Sequence, residues 1–148
     1  MATLKVKIQE DIILSNQDYG SKRTLEISSI DEFSKKIVTC PASSTTTIVN
    51  FDDAVTGSNP KIDTQDSKYI RITNLDSSNS VELAVVGAAT LYQVRLDAGH
   101  SHILGSASAL MLSEADTSPS FGTMADLDAI ACNPGGNDVS LEVIVASA

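Results

Sequence analysis

Aromatic side chains are scarce in this chain, which has no Trp, three Tyr and three Phe, 4% of its residues. Sugar-binding sandwiches lean on aromatic platforms, and Tyr19, Phe33, Phe51, Tyr69, Tyr92 and Phe121 are too few and too dispersed to argue for one. Cysteine is nearly absent. Cys40 and Cys132 are too far apart for a Cys-x-x-Cys metal pair, and two cysteines make no disulfide framework. Buried free thiols are therefore expected, with a single long-range bridge as the alternative. Basic residues are also short, ten against 19 acidic, giving a net charge of −9 and a pI near 4.4. Such a field repels phosphate backbones and anionic headgroups, so neither nucleic acid nor a membrane surface is an expected partner. No run approaches the roughly 18 apolar residues of a membrane helix. The first residues alternate Leu4, Lys5, Val6, Lys7, Ile8 where a signal peptide would carry an apolar core. A soluble chain without a secretory address is the expectation.

The basic residues that exist are unevenly placed. Nine precede position 72 and face ten acidic residues there, a balance of −1; the remainder has one against nine, a balance of −8. A solvated acidic surface accounts for the second part. The near-neutral first part, with Lys5, Lys7, Lys22, Arg23, Lys35 and Lys36, is the surface expected to face a partner or another subunit.

Apolar residues recur with a period of two. Leu4, Val6 and Ile8 alternate with lysines; Leu25 and Ile27, then Val81, Leu83 and Val85, Tyr92, Val94 and Leu96, and Leu141, Val143 and Val145 repeat the pattern. That is the signature of strands with one wet face. Further strands are expected at Ser34–Thr39, Thr45–Phe51 and Lys68–Thr73, with a weaker one at Ala109–Leu112. Turn-forming residues separate them: Asp18-Tyr19-Gly20, Gly57-Ser58-Asn59-Pro60, Asp76-Ser77-Ser78-Asn79, Asp97-Ala98-Gly99 and Asn133 to Asn137. Ile70–Val85 and Leu91–Leu104 each read as a hairpin. Short helical turns are expected near Asp52-Asp53-Ala54 and Met124–Ala129, and a loop over Ser113–Gly122. These 148 residues predict one domain, 1–148, with an all-β fold: an antiparallel β-sandwich, jelly-roll-like, of about nine or ten short strands. Val81, Leu83, Val85, Val94, Leu96, Leu141, Val143 and Val145 should face its core.

No catalytic motif stands out. In an extended strand His100 and His102 would share a face, with Asp97 as a third ligand if the turn folds back, yet tetrahedral zinc takes four donors. An isolated subunit is expected to bind no metal; in a threefold assembly six imidazoles would surround the axis. Ser101 lies between the histidines, but the Gly-x-Ser-x-Gly elbow needs a second Gly where the chain has Ile103. Asp63, Asp66, Glu114, Asp116, Asp126 and Asp128 lack EF-hand spacing, and Gly135-Gly136 precedes a strand instead of opening a helix, so neither calcium nor a phosphate cradle is expected. The expected site is empty of catalytic residues, cofactors and metals.

The stretch Tyr69-Ile70-Arg71-Ile72-Thr73-Asn74-Leu75-Asp76-Ser77-Ser78-Asn79-Ser80-Val81-Glu82-Leu83 resembles small virion structural proteins of tailed bacteriophages, in which a strand ends in Asn-Leu-Asp-Ser and returns on a Val. Tyr92–Leu96 before Asp97-Ala98-Gly99 and a terminal strand Asp138–Val145 extend the resemblance to residues 68–104 and 138–148, under half the chain. His100 and His102 depart from it. The resemblance implies a non-enzymatic capsid decoration or cement protein on the exterior of a virion, made in the host cytoplasm. It would contact the major capsid protein or other virion proteins, and a homotrimer suits the symmetry of such positions. Tail, neck or fibre-associated proteins are the neighbouring alternative. A small ligand- or carbohydrate-binding β-sandwich module is the alternative of another kind.

Overall fold

Apolar alternation becomes extended backbone nearly everywhere it occurs. The computed structural model describes residues 1–52, 61–88, 91–112 and 121–148. The turns expected from Asp53 and over Gly57–Pro60, most of the loop expected over 113–122, and the acidic residues Glu114 and Asp116 lie outside the described residues. Within them are thirteen strands and no helix: β1 (Ala2–Glu10), β2 (Ile13–Leu14), β3 (Gln17–Asp18), β4 (Ser21–Ile30), β5 (Glu32–Cys40), β6 (Thr46–Asp52), β7 (Ile62–Asp63), β8 (Ser67–Asn74), β9 (Val81–Gly87), β10 (Leu91–Leu96), β11 (Ser101–Leu104), β12 (Leu127–Asn133) and β13 (Val139–Ser147).

Two sheets make the sandwich, one ordered β10-β9-β12-β6-β7 and the other β11-β8-β13-β5. All pairs are antiparallel except the short parallel pair β6–β7. Val81, Leu83, Val85, Leu96 and Ile130 from the first sheet meet Ile70, Ile72, Leu141, Val143 and Val145 from the second. Each such side chain removed from water stabilises the fold by roughly 1.5–3 kcal/mol. The eight core positions expected from alternation all join this cluster, Val94 as a half-buried member.

A separate ladder of β1 and β4 forms an N-terminal arm, and β2–β3 closes its end around Ser15 and Asn16, both at positive φ as a two-residue hairpin turn requires. The ladder runs from Glu10↔Ser21 down to Leu4↔Ile27, then takes an extra residue in β4 before Ala2↔Ile30. Ser29 sits in the left-handed region at that bulge, which turns the chain from the arm into β5. Leu4, Val6 and Ile27 pack on Tyr69, Ile144 and Ala146, residues on the outer face of the second sheet. Strand β13 is thus buried on both faces, which is why its sequence Val143-Ile144-Val145-Ala146 loses the alternation seen elsewhere.

Several expectations need correction. Cys40 and Cys132 are not free thiols: a disulfide joins them between β5 and β12, with Cα atoms 7.0 Å apart. Ninety-two residues separate the pair in sequence, and the facing of the two sheets closes that gap. Ile70–Val85 and Leu91–Leu104 are not hairpins, since β8 and β9, and likewise β10 and β11, lie in different sheets. Their turns carry the chain across the sandwich; the hairpin is β9–β10. Met124–Ala129 is no helical turn: Ala125 bridges Met111, and Leu127 enters β12 with its side chain in the core. Ala109–Leu112 is a turn with Ala109 at positive φ and a single bridge at Met111. The tight turn of the first segment falls at Ser15-Asn16, ahead of Asp18-Tyr19-Gly20.

Candidate functional site

The turn that carries the histidines is built around Asn74. Its fully buried side chain donates to the carbonyls of Asn79 (2.8 Å) and Leu96 (3.2 Å) and accepts from the Asp76 amide (2.9 Å). Its backbone exchanges bonds with His100 and Gly99, and the left-handed Gly99 lets the chain reverse there. Asp76 in turn accepts from the amides of Ser78 and Asn79, which hold its carboxyl below the usual range. The Asn-Leu-Asp-Ser segment therefore splices the 74–79 turn to the 97–100 turn. Sequence reading placed these turns but missed Asn74 as the buried group that joins them; an Asn at the end of an apolar alternation was the available signal.

His100 lies in the turn and is exposed, while His102 sits on β11 opposite Ile72 and faces the sandwich interior. Only His102 therefore lies on a strand, and His100 precedes it in the turn. The Asp97 carboxylate accepts from Arg95 Nε at 2.8 Å. Tyr92, on edge strand β10 of the other sheet, has its hydroxyl 3.1 Å from His102 Nε2, with the rings edge-on at 6.1 Å between centroids. Burial lowers the His102 pKa and raises that of Tyr92. Ser101 faces away from His102 and shares a hydrogen bond with Thr73 Oγ1 at 2.7 Å. Among the described residues no three His, Cys, Asp or Glu side chains converge as metal ligands. Asp63 and Asp126 instead cap loops, accepting from the Gln65 amide and from the Ala109 amide and Gln65 side chain.

The six basic residues expected to form one surface divide among four faces. Lys5, Lys7 and Lys22 share the arm's polar face, where Lys5 meets Glu26 at 2.8 Å. Arg23 lies on the opposite, apolar face beside Ile8. Lys35 points outward from β5 and reaches Glu142 at 3.2 Å; Arg71 also binds that carboxylate, and the pair of cations lowers its pKa, Lys35 most. Lys36 faces inward opposite Val143 on the free edge of the same strand.

The arm carries the features that sequence reading overlooked. At its end Ile12, Ile13 and Leu14 are exposed together, Ile13 at 77%, with Tyr19 beside them. The signal was three consecutive apolar residues before a Ser-Asn turn, a run that a solvated strand does not carry without a use. Between the arm and edge strand β11 runs a groove of about 210 Å³. Val6, Ile8 and Leu25 form its arm side, Tyr69, Ile103 and Leu104 its sheet side, and Arg23 and Lys68 stand at its rim.

No family model and no curated protein matches the chain. A solved structure from Bacillus endospore appendages, described as a novel family of disulfide-linked pili, is similar over 78% of this chain and 86% of its own, with a TM-score of 0.44 and 9% identity.

Proposed function

We propose that this protein is a non-enzymatic structural subunit that enters a larger assembly through its N-terminal arm. The arm is the observation that carries the reading. A two-stranded ribbon is marginal on its own, and this one holds Ile12, Ile13, Leu14 and Tyr19 in water at its end. A contiguous apolar patch of that kind marks a surface that another molecule covers. The resemblance of residues 68–104 and 138–148 supplies the setting: the exterior of a tailed-phage capsid, with the major capsid protein as partner and a trimer as the decorating unit. The Cys40–Cys132 bridge suits a particle that works outside the reducing cytosol.

Mass spectrometry of purified virions tests both parts. Wild-type chain should be present, and an Ile13→Lys, Leu14→Lys variant should be depleted from the particles. Charge reversal of Lys5, Lys7 and Lys22 to Glu should weaken incorporation, while reversal of Glu82 and Asp128 should not. Virions without the wild-type chain would end the phage reading; full incorporation of the arm variant would end the arm reading.

A further inference from the structure

We infer that the arm docks on a second copy of this chain, the tip of one copy entering the groove beside the arm of the next. The inference deepens the proposed function and rests on its reading of the arm as a docking element. Two complementary surfaces occur on one molecule. The tip, residues 10–20, presents Ile12, Ile13, Leu14 and Tyr19 among three carboxylates, Glu10, Asp11 and Asp18, and contains no Lys or Arg. Those carboxylates accept hydrogen bonds from Ser21, Gln9 and Gly20, and none has a cationic partner among the described residues. The groove has the reverse charge: an apolar floor under Arg23 and Lys68, with no carboxylate in its lining. Arg23 has no ion-pair partner among the described residues.

A chain cannot satisfy its own groove. Val6, Ile8, Arg23 and Leu25 belong to the same ladder that holds the tip out, and pairing continues to Glu10↔Ser21 at the base of the tip. At about 3.3 Å per residue Ile13 stands roughly 16 Å beyond Ile8, so folding back would break the ladder. Tip and groove are different patches, so the contact is head-to-tail. It closes into a ring or continues as a filament, and a ring of three matches the trimer proposed above. The groove's volume accepts a branched aliphatic side chain, and the carboxylates of the tip then meet the two cations at the rim.

Light scattering coupled to size exclusion, on the full chain, tests this. Wild type should elute as an oligomer that weakens with added salt, because its rim contacts are ionic. Ile13→Lys with Leu14→Lys, which puts cations on the tip, should be monomeric; so should Ile103→Asp, which puts an anion in the groove. Both alter exposed residues, and unchanged circular dichroism confirms the fold. An equimolar mixture of the two variants should form heterodimers, since one intact tip then meets one intact groove. A monomeric wild type, association of either variant at the wild-type level, or a mixture that stays monomeric would overturn the inference. A monomeric wild type that still enters virions by its arm removes this inference and keeps the proposed function. A self-assembling chain absent from virions does the opposite.

Discussion

The Tyr92 hydroxyl and His102 Nε2, 3.1 Å apart, join the edge strands of opposite sheets, β10 to β11, and close the sandwich along that side. A neutral imidazole protonated on Nδ1 accepts the phenol's hydrogen bond there at Nε2. Because burial lowers the folded His102 pKa below 6.5, the unfolded chain takes up the proton first. Stability is therefore complete above that value and falls as pH drops through the folded-state pKa. Thermal melts between about pH 8 and pH 5 should fall more steeply for wild type than for His102→Gln; parallel slopes would refute the assignment. Tyr92→Phe should cost about 1 kcal/mol at the alkaline end.

The Cys40–Cys132 bridge closes a loop with a sequence separation of 92. Chain-entropy arguments give such a loop about 4–5 kcal/mol, and measured bridges deliver roughly 2–5. Cys40→Ser with Cys132→Ser should lower the melting temperature by more than any surface substitution, and reductant should lower that of wild type but not of the double variant. Intact mass before and after alkylation checks the bridge directly, and two alkylated cysteines without reduction would disprove it.

Asn74 holds two carbonyls and one amide, from its own turn at Asp76 and Asn79 and from Leu96 at the end of β10. Asn74→Ala should destabilise by about 2–3 kcal/mol, since the buried Leu96 carbonyl and the half-buried Asn79 carbonyl lose their donor. Urea unfolding measures it. Asp76→Asn should cost less, because that carboxylate is at the surface and its amides can turn to solvent. Equal losses at the two positions would contradict the burial argument.

Lys36 faces the same side as core residue Val143 at the free edge of β5. An inward charge of this sort blocks strand addition. In the Ile13→Lys, Leu14→Lys background, where the arm contact is removed, Lys36→Val should promote concentration-dependent self-association, visible by sedimentation, whereas Lys35→Val, which changes the outward face, should not. Lys35→Ala should change stability by under about 1 kcal/mol, its carboxylate contact being open to water. No association by Lys36→Val in that background at any accessible concentration would show that the edge is protected by other means.

Which residues are strand and which face inward was legible in the sequence, because a period of two is a local property: Val81, Leu83 and Val85 alternate whatever their neighbours are. Turn chemistry was equally local at Asp76–Asn79 and Asp97–Gly99. Partnership was not. A polar turn has the same composition whether it returns a strand to its neighbour or carries it to the opposite sheet, so β8–β9 and β10–β11 read as hairpins and are crossovers. The disulfide escaped for the same reason, since spacing along the chain is silent about two cysteines that meet only when sheets stack. Lys5, Lys7 and Arg23 were visible as a basic cluster, yet the strand pleat alone separates Arg23 from the lysines and places it at the groove. Burial of alternate side chains determines each strand by itself; the pairing of edges, the crossing of sheets and the exposure of the arm are decided by long-range packing, which no short window of sequence contains.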